Sequence, residues 1–292
     1  MGIAYAPNLA PLLEHTLVQV QLSSSYSGYG TSCLDRDAEE LRTLARYLKR
    51  VHGSTGICLV GFSTGCQIVT RYMQQQAQQA QQQRQAQQQP GHQAHQQQGQ
   101  EQQGQQQAQQ QQQQAQQQQQ SAGTDGDLPP VLATVLHSAI SDRESLAAWP
   151  GMADMASRAE AMVADGRGED IVGRLDMQSP PDPITASRLL SLYQRRGDDD
   201  MFSSDLSDDE LREMLSPLGA TPCLLLQAGT DQYVPSHVDI SALAARLAAA
   251  AGGNSGSCRF VVVPGAQHSM AGHAAVAAQH IRDFLADSVP HV

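Results

Sequence analysis

The stretch Ile57-Cys58-Leu59-Val60-Gly61-Phe62-Ser63-Thr64-Gly65 decides how the rest of the chain reads. Four apolar residues in a row suit a strand covered on both faces, and Gly-x-Ser-x-Gly directly after them suits a sharp strand-to-helix turn. On such a turn the serine stands above the carboxyl end of the strand, and both flanking glycines are expected to let the two backbones come close. A short helix, Thr64 to Met73, is expected to follow. Working outward, comparable runs predict strands over Leu17 to Leu22, Val131 to Leu136, Cys223 to Gln227 and Arg259 to Val263, each bounded by Gly, Pro or Ser. Helical patterns lie between them. Asp35 to His52 places Leu41, Leu44, Ala45 and Leu48 on one stripe, and Val238 to Ala251 and Ala271 to Asp287 are Ala-rich. This alternation predicts an α/β fold, a mainly parallel sheet with helices on both faces.

Between residues 74 and 120, 33 of 47 positions are Gln. Such a segment buries too little apolar surface to offset its ordering entropy, so a disordered or loosely helical surface insert is expected. Its slow loop-closure cost lets a folded domain carry it. The expected organisation is residues 1–73 as the first part of the core, 74–127 as the insert, 128–140 as a core strand, 141–220 as a helical cap, and 221–292 as the rest of the core. The cap region shows no convincing strand. Met152, Met155, Ala159, Met162 and Val163 have helical spacing, as do Ile184, Leu189, Leu192 and Tyr193, and Ser207-Asp208-Asp209-Glu210 reads as a capping box.

The formal net charge of −11 resides outside the Gln tract, where Arg84 and Glu101 cancel. That surface repels phosphate backbones, so nucleic acid is not an expected partner. No apolar run is long enough to span a membrane, and the first residues show no signal-peptide pattern, so a cytoplasmic protein is expected. Ala6 stands where a myristoylation signal has Ser or Thr. Five scattered cysteines without C-x-x-C spacing read as reduced thiols.

Ser63 needs a base, and the base a carboxylate, to act as a nucleophile. Gly229-Thr230-Asp231-Gln232-Tyr233 follows the strand at Cys223, and Pro264-Gly265-Ala266-Gln267-His268 follows the strand at Arg259. Ser63, Asp231 and His268 therefore each stand just past a different parallel strand, a placement that converges on one sheet edge. Singly, they read equally well as a helix N-cap, an Asx-turn residue and a loop histidine. Asp142 in Ser141-Asp142-Arg143-Glu144 is the second candidate acid, with a salt bridge at the cap entrance as its simpler role. Asp198, Asp199, Asp200 and Asp205 lack the spacing of a calcium loop and read as cap hydrogen bonding, with Arg143, Arg188, Arg195 and Arg196 as partners for them or for an anionic substrate group. No metal site is assigned.

Gly61-Phe62-Ser63-Thr64-Gly65-Cys66-Gln67, Ser24-Ser25-Tyr26-Ser27-Gly28-Tyr29-Gly30, Ser141-Asp142-Arg143-Glu144, Gly197 to Leu206 and Asp231-Gln232-Tyr233-Val234-Pro235 together resemble a largely uncharacterised fungal and plant family of α/β-hydrolases, some of whose fungal relatives act as siderophore esterases. The resemblance covers nearly all the chain outside the Gln tract. It implies an α/β-hydrolase fold, a Ser63, Asp231 and His268 triad, hydrolysis of a small-molecule ester, and no cofactor. It also implies an oxyanion hole with one donor at the Thr64 amide and another in a loop after a strand ahead of Leu17. Ala6 to Glu14 reads as the helix after that loop, so the sequence is expected to be N-terminally truncated, to leave a gap between the strands at Leu17 and Ile57, and to have weakened activity. The alternatives are a catalytically inactive binding protein on the same fold and an acyltransferase or thioesterase. The oligomeric state and the substrate-binding residues stay open.

Overall fold

The computed structural model describes residues 6–88, 128–176, 181–252 and 256–289. In chain order the helices are α1 (Ala6–Leu9), α2 (Leu34–His52), α3 (Gly65–Gln88), α4 (Asp142–Ala147), α5 (Met152–Ala164), α6 (Ala186–Tyr193), α7 (Asp208–Leu215), α8 (Ile240–Gly252) and α9 (Ala274–Ser288). The strands are β1 (Ile57–Phe62), β2 (Val131–His137), β3 (Ile171–Leu175), β4 (Asp182–Thr185), β5 (Cys223–Ala228) and β6 (Cys258–Val263).

Four strands form one parallel sheet in the order β1-β2-β5-β6. The central strands β2 and β5 are almost wholly buried, because apolar side chains on both faces have helices to pack against. Leu136, Cys223 and Leu225 face a cluster with Val69, Tyr72 and Leu247, whereas Val135, Leu224 and Leu226 face another with Ile281 and Phe284. Edge strand β6 leaves Phe260 exposed. A third cluster, with Leu146, Met152, Leu175, Ile184 and Leu189, holds the cap together.

Three expectations need correction. Residues 17–22 belong to no strand, with Leu17, Val18 and Val20 exposed. Alternating apolar residues supply one face of a strand, but a strand exists only where a neighbour exchanges backbone hydrogen bonds. Among the described residues β1 is therefore the sheet's edge, and no internal gap forms. The cap also carries a two-stranded antiparallel sheet, β3 with β4, where only helices were expected. Ile184 is thus a strand residue, and the helix begins at Ala186 with Thr185 as its N-cap. Finally, α3 runs past Met73 to Gln88, because Gln and Ala are good helix formers and the first turns are anchored in the core. The rest of the tract, residues 89–127, lies outside the described residues.

Candidate functional site

Ser63 sits between β1 and α3 with φ of 54°, the left-handed region that L-residues adopt only when their surroundings impose it. Its N–H donates to His137 O at 3.0 Å, and its own carbonyl accepts from Cys66 N at 2.8 Å. The two glycines are not equivalent. A Cβ on Gly61 would lie 2.6 Å from the Gly65 carbonyl carbon and 2.8 Å from Cys66 N, whereas one on Gly65 would meet nothing within 4 Å. Only Gly61 is required by the close approach, a correction to the expectation for both.

The turn after β5 presents Asp231, and the loop after β6 presents His268. His268 Nε2 lies 2.8 Å from Ser63 Oγ, and His268 Nδ1 lies 2.7 Å from Asp231 Oδ2. Asp231 Oδ1 accepts from Tyr233 N at 3.0 Å, an Asx turn that fixes the carboxylate. Its simpler turn role and its contact with the imidazole therefore coexist. His268 is held from both sides: its N–H donates to Gln232 Oε1 at 3.1 Å, and its carbonyl accepts from Ser138 Oγ at 2.8 Å. The ring of Tyr233 meets the imidazole edge-on, and Phe62 lies tilted against it. Asp231 and His268 are buried while Ser63 and Thr64 stay half-exposed, so a reagent reaches the hydroxyl before the imidazole. Thr64 follows Ser63 directly and precedes the first residue of α3, where amides face the helix N-terminus.

Asp142, the second candidate acid, makes neither of these contacts. It accepts from Tyr29 Oη at 3.2 Å and Gln67 Nε2 at 2.7 Å. The salt bridge at the cap entrance belongs to its neighbour Arg143, which donates to Asp200 at 3.0 Å and to Asp205. Arg188 pairs with buried Asp199 at 2.6 Å, and Ser191 Oγ donates to the same carboxylate at 2.6 Å. Asp198 pairs with Arg71, Arg195 with Glu210 and Arg196 with Glu213. The acidic string is thus paired with Arg and Ser side chains, Asp198 with Arg71 of α3 and the others within the cap, and among the described residues no group of three or more His, Cys, Asp or Glu is arranged to hold a metal ion. Ser207 and Glu210 make the reciprocal capping bonds. Sequence reasoning missed Ser138 and Gln232, whose hydrogen bonds to the His268 backbone join loops that only tertiary structure brings together.

His137 stacks on Phe62 at 4.7 Å beneath the turn. Burial, followed by the charge of His268, pushes its imidazole down to about 3, so it is neutral near pH 7. Cys66 is fully buried, its Sγ donating to His137 O at 3.2 Å, and burial pushes its thiol well up. It is a packing residue of the turn.

The chain has known relatives. Residues 1–289 match the family described as "Protein of unknown function (DUF1749)". The chain belongs to that family. It is 26% identical to fusarinine C esterase sidJ of Aspergillus fumigatus, over 91% of this chain and 78% of that protein. It is 27% identical to esterase AN6793 of Emericella nidulans, over 92% and 77%. Among solved structures it superposes on the siderophore hydrolase EstB of Aspergillus fumigatus with a TM-score of 0.66 and 22% identity, covering 99% of this chain and 89% of that one. That likeness makes this DUF1749 protein an α/β-hydrolase in fold, as its motifs implied. No helix among its described residues is long and apolar enough to cross a membrane.

Proposed function

We propose that this DUF1749 protein is a serine esterase in which Ser63 is the nucleophile, His268 the general base and acid, Asp231 the orienting carboxylate and the Thr64 amide an oxyanion donor. The observation that carries the reading is the continuous path Ser63 Oγ to His268 Nε2 at 2.8 Å and His268 Nδ1 to Asp231 Oδ2 at 2.7 Å. Ser63 Oγ attacks the acyl carbon while its proton passes to Nε2. Nδ1–H donates to Asp231, which favours both the correct tautomer and the imidazolium. Negative charge gathers on the former carbonyl oxygen, where the Thr64 N–H meets it. Collapse breaks the ester C–O bond, and the imidazolium gives its proton to the leaving alkoxide. Water, activated by the same imidazole, then hydrolyses the acyl-enzyme.

The substrate is a small-molecule ester. The names of sidJ and EstB support a siderophore ester such as fusarinine C as the first compound to assay. The reading is tested with a fluorophosphonate probe and a p-nitrophenyl ester series. The wild type is expected to take up one probe and to hydrolyse esters, and Ser63→Ala to do neither. A folded wild-type protein inert to both sinks the esterase reading in favour of a non-catalytic binding role.

A further inference from the structure

The path from Ser63 to Asp231 leaves one carboxyl beside the site without a role. Asp142 is the first residue of α4, just beyond β2, and half-buried. Its two hydrogen bonds run to two different elements. Gln67, on the first turn of α3, donates to Oδ2 at 2.7 Å and also reaches Ile140 O at 3.4 Å. Tyr29, in the loop ahead of α2, donates to Oδ1 at 3.2 Å and interacts with the Thr64 side chain. Tyr29 therefore links Asp142 to the residue next to Ser63.

Both direct partners are neutral. Arg188 of α6 also faces Asp142, but it is committed elsewhere: it pairs with Asp199 at 2.6 Å, its Nε donates to Tyr29 O at 3.1 Å, and its guanidinium lies 5.3 Å over the Tyr29 ring. The titratable groups facing Asp142 are Tyr29 from the loop before α2, Cys66 of α3, Arg188 of α6, Asp199 beyond α6 and His268 after β6. Burial, and after it the charge of Asp199, pushes the carboxyl up to about 7, against the opposing pull of Arg188, Tyr29 and His268.

We propose that Asp142 is a positioning residue of this site: its carboxylate holds the Thr64 turn through Tyr29 and Gln67, and its charge favours the imidazolium that forms on His268 during acyl transfer. The inference rests on the esterase reading above. Ionised, the carboxyl accepts both hydrogen bonds. Protonated, one of its oxygens becomes a donor, and the buried acceptor it can turn to is Gln67 Oε1, which has no partner. Gln67 must then rotate, the brace on the turn loosens, and the attraction for the imidazolium disappears. Only a proton moves, from solvent to Asp142.

The test is kcat and kcat/KM against pH, on a neutral p-nitrophenyl ester, for the wild type, Asp142→Asn and Tyr29→Phe. The wild type is expected to lose activity on the acid side with a slope approaching two protons, one of them that of Asp142. Asp142→Asn is close to isosteric and is expected to fall to a one-proton slope, with kcat lower by on the order of 10-fold and KM changed less than about threefold. Tyr29→Phe is expected to lose about as much kcat while keeping the two-proton slope, because the carboxyl still titrates. A purely structural role for Asp142 lowers the folded fraction without changing the slope. An active wild type whose Asp142→Asn variant keeps its pH profile and kcat overturns this proposal alone. An inert wild type overturns it together with the esterase reading.

Discussion

Gly61→Ala is the sharpest perturbation of the nucleophile turn. The new methyl would lie 2.6 Å from the Gly65 carbonyl carbon and 2.8 Å from Cys66 N, and closer still to the Gly65 oxygen. Unstrained contacts of this kind lie at about 3.5 Å, so α3 must back away from β1 by roughly 0.7 to 1 Å. Ser63 cannot absorb the shift freely, because its N–H is tied to His137 O at 3.0 Å on the sheet side while its carbonyl is tied to Cys66 N at 2.8 Å on the helix side. Overpacking of this kind costs about 1–3 kcal/mol. At roughly 2–4 °C per kcal/mol for a domain of this size, the melting temperature is expected to fall by about 2–12 °C. A displacement near 1 Å at the nucleophile is expected to lower kcat by on the order of 10². Gly65→Ala is the matched control: with nothing within 4 Å of the added carbon, its stability should stay within about 0.5 kcal/mol of wild type. Thermal melts and ester hydrolysis on both variants decide the matter. If Gly61→Ala matches Gly65→Ala in melting temperature and rate, the close-approach argument is wrong.

Three further outcomes are expected. Asp231→Asn, which leaves the volume unchanged but favours the wrong imidazole tautomer, should lower kcat by on the order of 10³–10⁴ with a smaller effect on KM; a loss below tenfold would argue that another group orients His268. Arg188→Met leaves the buried Asp199 carboxylate with only its serine partner, so urea titration should show a loss of about 3–5 kcal/mol. The raised Asp142 also affects stability. The fold holds its proton up to about pH 7, whereas the unfolded chain releases it near 3.8, so this group makes stability fall as pH rises between those values. His137, pushed down to about 3 from 6.5, gives the opposite slope between those two values. Asp142→Asn should therefore remove a falling component from the stability curve between about pH 4 and 7, and an unchanged curve would show that the carboxyl is not raised.

The core strands and the three residues at the sheet edge were legible because each carries a local signal. An uncharged apolar run marks β1 and β5, Gly-x-Ser-x-Gly marks the turn, and Asp231 and His268 each follow an apolar strand in a loop. Residues 17–22 carry a signal just as clear and form no strand, because pairing needs a neighbour that alternation does not report. The β3–β4 hairpin was illegible for the converse reason. Gly173 and Arg174 interrupt the apolar residues of Ile171 to Leu175, and Pro183 sits inside β4, so neither shows a clean strand pattern. Asp142 was placed near the site, but as a salt-bridge residue, because the neighbouring Arg143 suggested that role and nothing local shows which of two adjacent side chains turns inward.

Local sequence thus determined the layered α/β architecture and which side chains could carry acyl chemistry, since periodicity and turn chemistry are short-range properties written into consecutive residues. Tertiary packing alone decided which glycine is indispensable, which acid meets the imidazole, and that Tyr29, Gln67 and Asp142 meet beside Thr64. Those contacts join residues up to 113 positions apart, and the distances and dielectric surroundings that govern them exist only once the chain has closed around them.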